Sequence, residues 1–282
     1  SDGIATYNFA VVIDDALMSI THVIRGEDHL SNTPRQILIF EALGFPAPEY
    51  SHIPLILGPD RAPLSKRHRT ASVRDLKEAG FLPEAILNHL CHLGFSPAKE
   101  FLSIDEAIKL FSLERLSKSP AIFDIEKLKT FNRTYIEKAD TERLANIVKP
   151  YLKEDVSHEW LQKAIEAIKG EAITLMDIPD MLLPLLKGPV FDSDAKEVME
   201  RPYAKDVLKA LIQEVEKQGE LNTETYHKVM ARLKEATGQT GKQLFMPIRA
   251  ALTGKLKGIE LEKIFVLLGK NEILERIRKL LV

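Results

Sequence analysis

A chain of 282 residues with 45% hydrophobic and 28% charged side chains has an ordinary globular composition and room for about two domains. Its formal net charge of −2 excludes a uniformly basic nucleic-acid coat, and its single cysteine, Cys91, excludes a disulfide framework and fits a reducing cytoplasm. Apolar runs of only a few residues support neither a membrane span nor export, and an opening Ser1-Asp2-Gly3 without methionine suggests a trimmed or proteolytic fragment.

Residues 5–13 become apolar and β-branched toward their end, which predicts a strand buried on both faces. Asp14-Asp15 then predicts a turn, and residues 18–24 a second strand. The cluster Arg25-Gly26-Glu27-Asp28-His29 would stand at that strand's carboxyl end, where open α/β sheets hold ligands. Ser31-Asn32-Thr33 offers N-cap oxygens and Pro34 fits a first helical turn. The helix would bury Ile37, Phe40 and Leu43 and end at Gly44, and residues 52–57 predict a strand returning to the sheet.

Gly58-Pro59 ends that run and opens a cationic loop. From Arg61 to Lys77 there are six basic residues (Arg61, Lys66, Arg67, Arg69, Arg74, Lys77) against one acid, Asp75, a balance that suits a polyanion. After Ser72 the pattern is almost entirely helical. Pro83 starts a helix through Ala85, Ile86, Leu90 and Leu93 that stops at Gly94; Ser103-Ile-Asp-Glu106 reads as a capping box; Asp124 caps a short helix carrying Leu128 and Phe131. Beyond Asp140, one-sided stripes recur: Leu144/Ile147/Val148/Tyr151, Leu161/Ala164/Ile165/Ile168, Val207/Leu208/Leu211/Ile212/Val215 and Tyr226/Val229/Met230/Leu233. Ile264/Phe265/Leu268 and Ile273/Ile277/Leu280/Leu281 finish the chain, and all of these stripes read as core. The predicted fold class is an α/β fragment followed by mostly α-helical domains. Predicted segments are 1–60, 61–139, 140–189 and 190–282.

Several residues could carry chemistry. Arg25 can fork two hydrogen bonds onto a carboxylate, Gly26 admits close approach to the backbone, Glu27 and Asp28 can accept from sugar hydroxyls, and Tyr7 adds a phenol donor. A structural ion pair between Arg25 and one of those acids accounts for the spacing equally well. Lys66, on a Gly/Pro-bounded loop, could stabilise charge on a leaving pyrophosphate. His89-Leu-Cys91-His92 puts two histidines on one helix face, but no second ligand cluster accompanies them, so helix packing rather than zinc is expected.

Together these pieces resemble bacterial glutamyl-tRNA synthetases, in family order from first residue to last. The resemblance rests on Ser1-Asp2-Gly3 through Tyr7, Val12-Ile-Asp-Asp15, Thr21-His-Val-Ile-Arg-Gly-Glu-Asp-His-Leu30, Asn32-Thr-Pro34, Leu64-Ser-Lys-Arg67, Gly80-Phe-Leu-Pro-Glu-Ala85, Phe123-Asp124 with Lys127-Leu128, Pro247-Ile-Arg-Ala-Ala-Leu-Thr-Gly254 and Leu267-Leu-Gly-Lys270. It implies a class I aminoacyl-tRNA synthetase that uses ATP, with magnesium carried by the nucleotide, to activate L-glutamate and esterify the tRNA 3′ end. Tyr7 and Arg25 would hold glutamate; Glu27, Asp28, Leu55, Ile56, Ser65, Lys66 and Arg67 would serve ATP or the acceptor end; Lys66 would be the catalytic lysine of the KMSKS-like loop. Glu171, Arg249 and Leu261 would meet the anticodon. A cytoplasmic monomer working with tRNA-Glu, tRNA-Gln or both is implied, with no membrane and no zinc.

The sequence departs from the family pattern in three ways. The HIGH signature and the first half of the nucleotide fold are absent, so this polypeptide by itself is expected to be a poor catalyst. Pro63 stands where the KMSKS loop usually has its first lysine, removing one phosphate contact and stiffening the loop. Glu171 aligns where many members have an arginine associated with the last anticodon base. A carboxylate is acceptor-only and could pair with guanine's N–H donors, which implies relaxed or switched charging of tRNA-Gln; a solvated helix-end acid is the alternative. The helical stripes after Asp140 argue against the glutaminyl enzyme with its β-barrel anticodon domains. The long C-terminal region argues against the short queuosine-glutamylating paralogue, and a non-catalytic tRNA-binding module is the reading from another class.

Overall fold

The structure is a computed structural model describing residues 3–64 and 72–281. Two compact units divide between Asn132 and Arg133. Unit 1 opens with helix α1 (Tyr7–Leu17), strand β1 (His22–Gly26), a 3-10 turn over Glu27–Asn32, helix α2 (Thr33–Leu43) and strands β2 (Glu49–Ile53) and β3 (Ile56–Leu57). It continues with α3 (Val73–Glu78), α4 (Pro83–Gly94), α5 (Ile104–Leu110), β4 (Ala121–Ile122) and the start of α6 (Ile125–Lys138). Strand β1 pairs β2 in parallel, and β3 pairs β4 in parallel.

The structure departs from several expectations in this unit. The run predicted as the first strand is helix α1, in which Asp14 and Asp15 form part of the helix rather than a turn. Eleven residues are long for a strand, and the helix satisfies its own amides while burying one side: Val12 is fully buried, and one turn back Asn8 accepts a hydrogen bond from Gln36 at 3.0 Å. The chain turns instead at Ser19, which takes a left-handed φ of 56°. The single strand predicted over 52–57 is two, β2 and β3, each with its own partner. Pro54 lies between them, and a residue without an N–H cannot extend the ladder. In α2 the buried residues are Thr33, Gln36 and Phe40, so the inward face is more polar than predicted, and Gly44 closes the helix at φ 71°.

The remaining local signals form as written in the sequence. Ser103 and Glu106 make the reciprocal capping box of α5, and the Asp124 carboxylate caps α6 by accepting from the amides of Glu126 and Lys127. Helix α6 is a full 14 residues rather than short. Around Leu82, Ile86, Phe95, Leu128 and Phe131 the core of unit 1 is closed to solvent.

Unit 2 is built from the rest of α6 and from α7 (Thr141–Val148), α8 (His158–Ile168), α9 (Asp177–Lys187), α10 (Ser193–Met199), α11 (Pro202–Glu216), α12 (Thr223–Thr237), α13 (Lys242–Thr253) and α14 (Leu261–Leu281). The four stripes predicted over α7, α8, α11 and α12 supply its core, except that Tyr151 falls beyond α7 and is 53% exposed. Gly269 breaks α14 with φ 69° and ψ 173°, so its two apolar stripes point differently. Beside that break the Trp160 indole donates to the Leu267 carbonyl at 3.1 Å, and Lys270 reaches the Glu216 carbonyl at the end of α11 at 2.8 Å. Among the described residues no helix is long and apolar enough to cross a membrane.

Candidate functional site

Arg25 sits near the carboxyl end of β1, directly opposite His52 in the parallel register. Its guanidinium lies over the Tyr50 ring at 5.1 Å, donates from Nη2 to Thr33 Oγ1 at 2.8 Å and approaches His52 Nε2 from Nε at 3.4 Å. Tyr50 and His52 are two residues apart on β2 and therefore share a face, where their rings stack 6.3 Å apart and nearly parallel. Tyr7, in the first turn of α1, is half exposed, with its ring 5.9 Å from that of His29.

The charges here are set by burial. Burial lowers the pKa of His52, and Arg25 and His29 push it the same way, so the imidazole stays neutral. Burial also raises Asp15 against the opposing pull of Arg25, with Asp14 adding to the rise. Among the described residues no carboxylate is ion-paired to Arg25: the acids beside it in sequence are turned elsewhere. Glu27 Oε1 accepts from the Leu55 amide at 3.4 Å, and Asp28 Oδ2 stands 3.7 Å from His29. A Cβ on Gly26 would overlap the Asp28 carboxylate, so the glycine is what lets Asp28 fold back against β1.

The segment after β3 folds back on it. Gly58 donates to the Ala62 carbonyl at 2.8 Å and Leu64 to the Ile56 carbonyl at 2.9 Å, with Pro63 bridged opposite Leu57. Those bonds belong to Pro63's neighbours, so its missing N–H costs the turn nothing. Of the two backbone positions read as adenine neighbours, Leu55 spends its N–H on Glu27 and Ile56 its carbonyl on Leu64. Ser65, Lys66 and Arg67 lie outside the described residues.

In unit 2, Glu171 and Arg249 line a cavity of about 400 Å³. Glu171 Oε1 accepts from Lys263 Nζ at 2.8 Å, and Lys263 is shared with Glu260 at 3.3 Å. Burial lowers the Lys263 pKa, but these two acids outweigh it and the net shift is upward. Arg249 turns Nη1 onto the Ile259 carbonyl at 2.5 Å, and burial pulls its pKa below the usual arginine range. Leu261 opens α14 and is 6% exposed, facing the core.

The His89–Cys91–His92 stretch falls on α4. His89 is 2% exposed, edge-on to Phe123 at 4.9 Å, and neither ring nitrogen has a hydrogen-bond partner. Cys91 packs among Phe95, Leu102 and Ala107, while His92 Nε2 meets the Glu100 carbonyl at 2.9 Å. The three side chains thus go three ways.

Sequence reasoning named Tyr7 and Arg25 as candidates but not Tyr50, His52 or the Thr33 side chain, which the structure places against Arg25. The signal lay in the alternation Tyr50-Ser51-His52, which puts two polar rings on one face of a strand predicted to start only at residue 52.

Residues 1–130 match the catalytic domain of class I tRNA synthetases (E and Q), and residues 143–281 match an anticodon binding domain. The chain is 46% identical over 290 residues to a protein named glutamate–tRNA ligase 2 of Syntrophus aciditrophicus, covering all of this chain and 60% of that one. It is 42% identical over 295 residues to glutamate–tRNA ligase of Natranaerobius thermophilus, again all of this chain and 60% of the relative. The structure superposes with a TM-score of 0.87, at 34% identity, on a crystal structure of a glutamate tRNA ligase from Elizabethkingia meningosepticum in complex with its amino acid, covering 99% of this chain and 60% of that one. The chain therefore spans about 60% of the length of the relatives it matches. With both domain types in the same order as its motifs and this identity along its whole length, the chain belongs to the glutamyl-tRNA synthetase family of class I tRNA synthetases.

Proposed function

We propose that the chain supplies the glutamate-recognising wall, the pyrophosphate-stabilising loop and the tRNA-reading helices of a glutamate–tRNA ligase. The observation that carries this reading is Arg25, a guanidinium held by neutral groups at a strand's carboxyl end and ion-paired to no acid among the described residues. Such a group takes an incoming carboxylate bidentately. Tyr7, half exposed in the first turn of α1, would serve as a second donor. In this reading the glutamate α-carboxylate attacks the α-phosphorus of ATP and pyrophosphate leaves; a ribose hydroxyl at the tRNA 3′ end then displaces AMP from the glutamyl adenylate. Magnesium travels with the triphosphate, for which hard oxygen ligands and retained waters suffice. Lys66, with Ser65 and Arg67 beside it, neutralises the departing pyrophosphate. Glu27, Asp28, Leu55 and Ile56 border the nucleotide and the acceptor end.

Glu171, Arg249 and Leu261 belong in this reading to the anticodon surface. Glu171 meets a base already paired to Lys263, so the site presents an acceptor and a donor side by side. That pairing suits guanine, whose O6 accepts and whose N1–H and N2–H donate, and it favours tRNA-Gln as a partner alongside tRNA-Glu. The test is binding of both transcripts at one fixed salt concentration. Comparable affinities, shifted toward tRNA-Glu by Glu171→Arg, are the expected result. A strong preference for tRNA-Glu that Glu171→Arg leaves unchanged would remove Glu171 from the recognition surface, and failure of both tRNAs to bind would overturn the tRNA-reading role itself.

A further inference from the structure

We infer that Thr33 and His52 are positioning residues which together hold the Arg25 guanidinium edge-out toward a ligand carboxylate; this rests on the reading of Arg25 given above. The geometry is a closed triangle. Arg25 Nη2 donates to Thr33 Oγ1 at 2.8 Å, Thr33 Oγ1 lies 2.9 Å from His52 Nε2, and Arg25 Nε approaches that same nitrogen at 3.4 Å. A hydroxyl has one proton. Arg25 Nε–H can only donate, so His52 Nε2 meets it with a lone pair; a ring nitrogen without a proton cannot donate to Thr33, so the Thr33 proton also points at Nε2. His52 is therefore the tautomer protonated on Nδ1.

The triangle has a consequence for charge. Thr33 and the imidazole are neutral, and so is the Tyr50 ring under the guanidinium, so Arg25 is fixed in place without being neutralised. Holding the same side chain with an internal carboxylate would fix it equally well and occupy the fork. The two hydrogen bonds use the Nε edge and one proton of Nη2, which leaves the Nη1–Nη2 edge for a carboxylate. Protonating His52 would remove the lone pair and set a second cation against Arg25; besides Arg25, His29 acts on His52 in the same direction, while Asp15, the acid of α1 that acts on Arg25, has a raised pKa. Thr33 is 9% exposed in the first turn of α2, and Arg25 and His52 are ladder partners, so the triangle is built from three elements that the fold already fixes.

The test combines nitrogen NMR of the ligand-free chain with calorimetric titration of L-glutamate, on the wild type, Thr33→Val, Thr33→Ser and Arg25→Ala. The expected spectrum shows His52 protonated on Nδ1 and an Arg25 Nε–H that exchanges slowly. Thr33→Val, equal in shape but without the hydroxyl, should move both resonances and weaken glutamate binding about tenfold, roughly the worth of one charge-assisted hydrogen bond; Thr33→Ser should restore both. Should Thr33→Val fail to fold, His52→Phe keeps the ring stack without a lone pair and carries the same comparison. A His52 protonated on Nε2, or an Arg25 signal and glutamate affinity indifferent to both Thr33→Val and His52→Phe, overturns the inference. Arg25→Ala binding glutamate as well as the wild type would instead sink the carboxylate-binding reading, a result distinguishable because the ligand-free spectra judge the triangle independently.

Discussion

Two single residues carry more of the structure than their chemistry advertises. Gly254 ends α13 with φ 74°, and a Cβ there would overlap the backbone of Val190, whose neighbour Asp192 donates its amide to the Gly254 carbonyl at 3.1 Å. Backbone cannot step aside as a side chain can. Gly254→Ala is expected to destabilise unit 2 by at least ~2 kcal/mol, read as a lower urea midpoint, from the left-handed conformation and the overlap together. His89 is the second case. Burial lowers its pKa from 6.5 to about 4, with Lys127 adding to the effect and Asp124 opposing it. Above its ordinary pKa it is neutral whether the chain is folded or not. As pH falls from 6.5 toward 4 the unfolded chain takes up the proton first, so unit 1 loses stability through that window, by about 2 kcal/mol after allowance for screening. His89→Leu should abolish that loss, seen as amide-exchange protection of α4 that stays level from neutral to mildly acidic pH; a variant that still loses protection would show that another group titrates.

At the scale of elements, Arg276 does what no sequence stripe announced. It is 4% exposed within α14 and donates to the Pro184 and Leu185 carbonyls of α9 and to the Leu252 carbonyl of α13, while its Nε pairs with Glu272 at 2.7 Å. Those carbonyls lie in the last turns of their helices, where no intrahelical amide remains for them and where the helix dipoles are negative. One guanidinium thus caps two helices at once. Arg276→Met is expected to cost about 3 kcal/mol by leaving buried acceptors unpaired, and Arg276→Lys to recover only part of it, since an ammonium lacks the planar fork; thermal unfolding of the two variants checks the order.

Legibility followed the same physics. Capping boxes, glycine stops and 3.6-residue stripes are local, so α5, α8, α11 and α12 could be read directly. Helix α1 could not, because Val11-Val12-Ile13 carries a strand-like local preference that tertiary burial of Val12 overrides. The candidate site was half legible for a related reason. Arg25 announced itself by type and place, but Thr33 and His52 reach it only through the β1–β2 register and the docking of α2, which pairings across the chain decide.

Across the whole molecule, the formal charge of −2 hides a division of labour. The basic loop and Arg25 fall in the unit matched to catalysis, and the cavity lined by Glu171 and Arg249 in the unit matched to anticodon binding. The acid sensitivity assigned to His89 belongs to unit 1 alone, so acidification should loosen one unit before the other.

The parallel ladder also fixes an order of events in time. Joining β1 to β2 brings together residues 27 apart, Arg25 and His52, whereas much of unit 2 zips between consecutive helices such as α7 with α8 and α11 with α12. Closing a long loop before any contact rewards it is slow, and neighbouring helices form quickly. Trp160, the single tryptophan, lies in unit 2 and donates its indole N–H to Leu267 there. That bond spans 107 residues, a longer closure than the ladder's own, so the Trp160 fluorescence should recover in a slow phase of refolding from urea, after neighbouring helices such as α7 and α8 have paired.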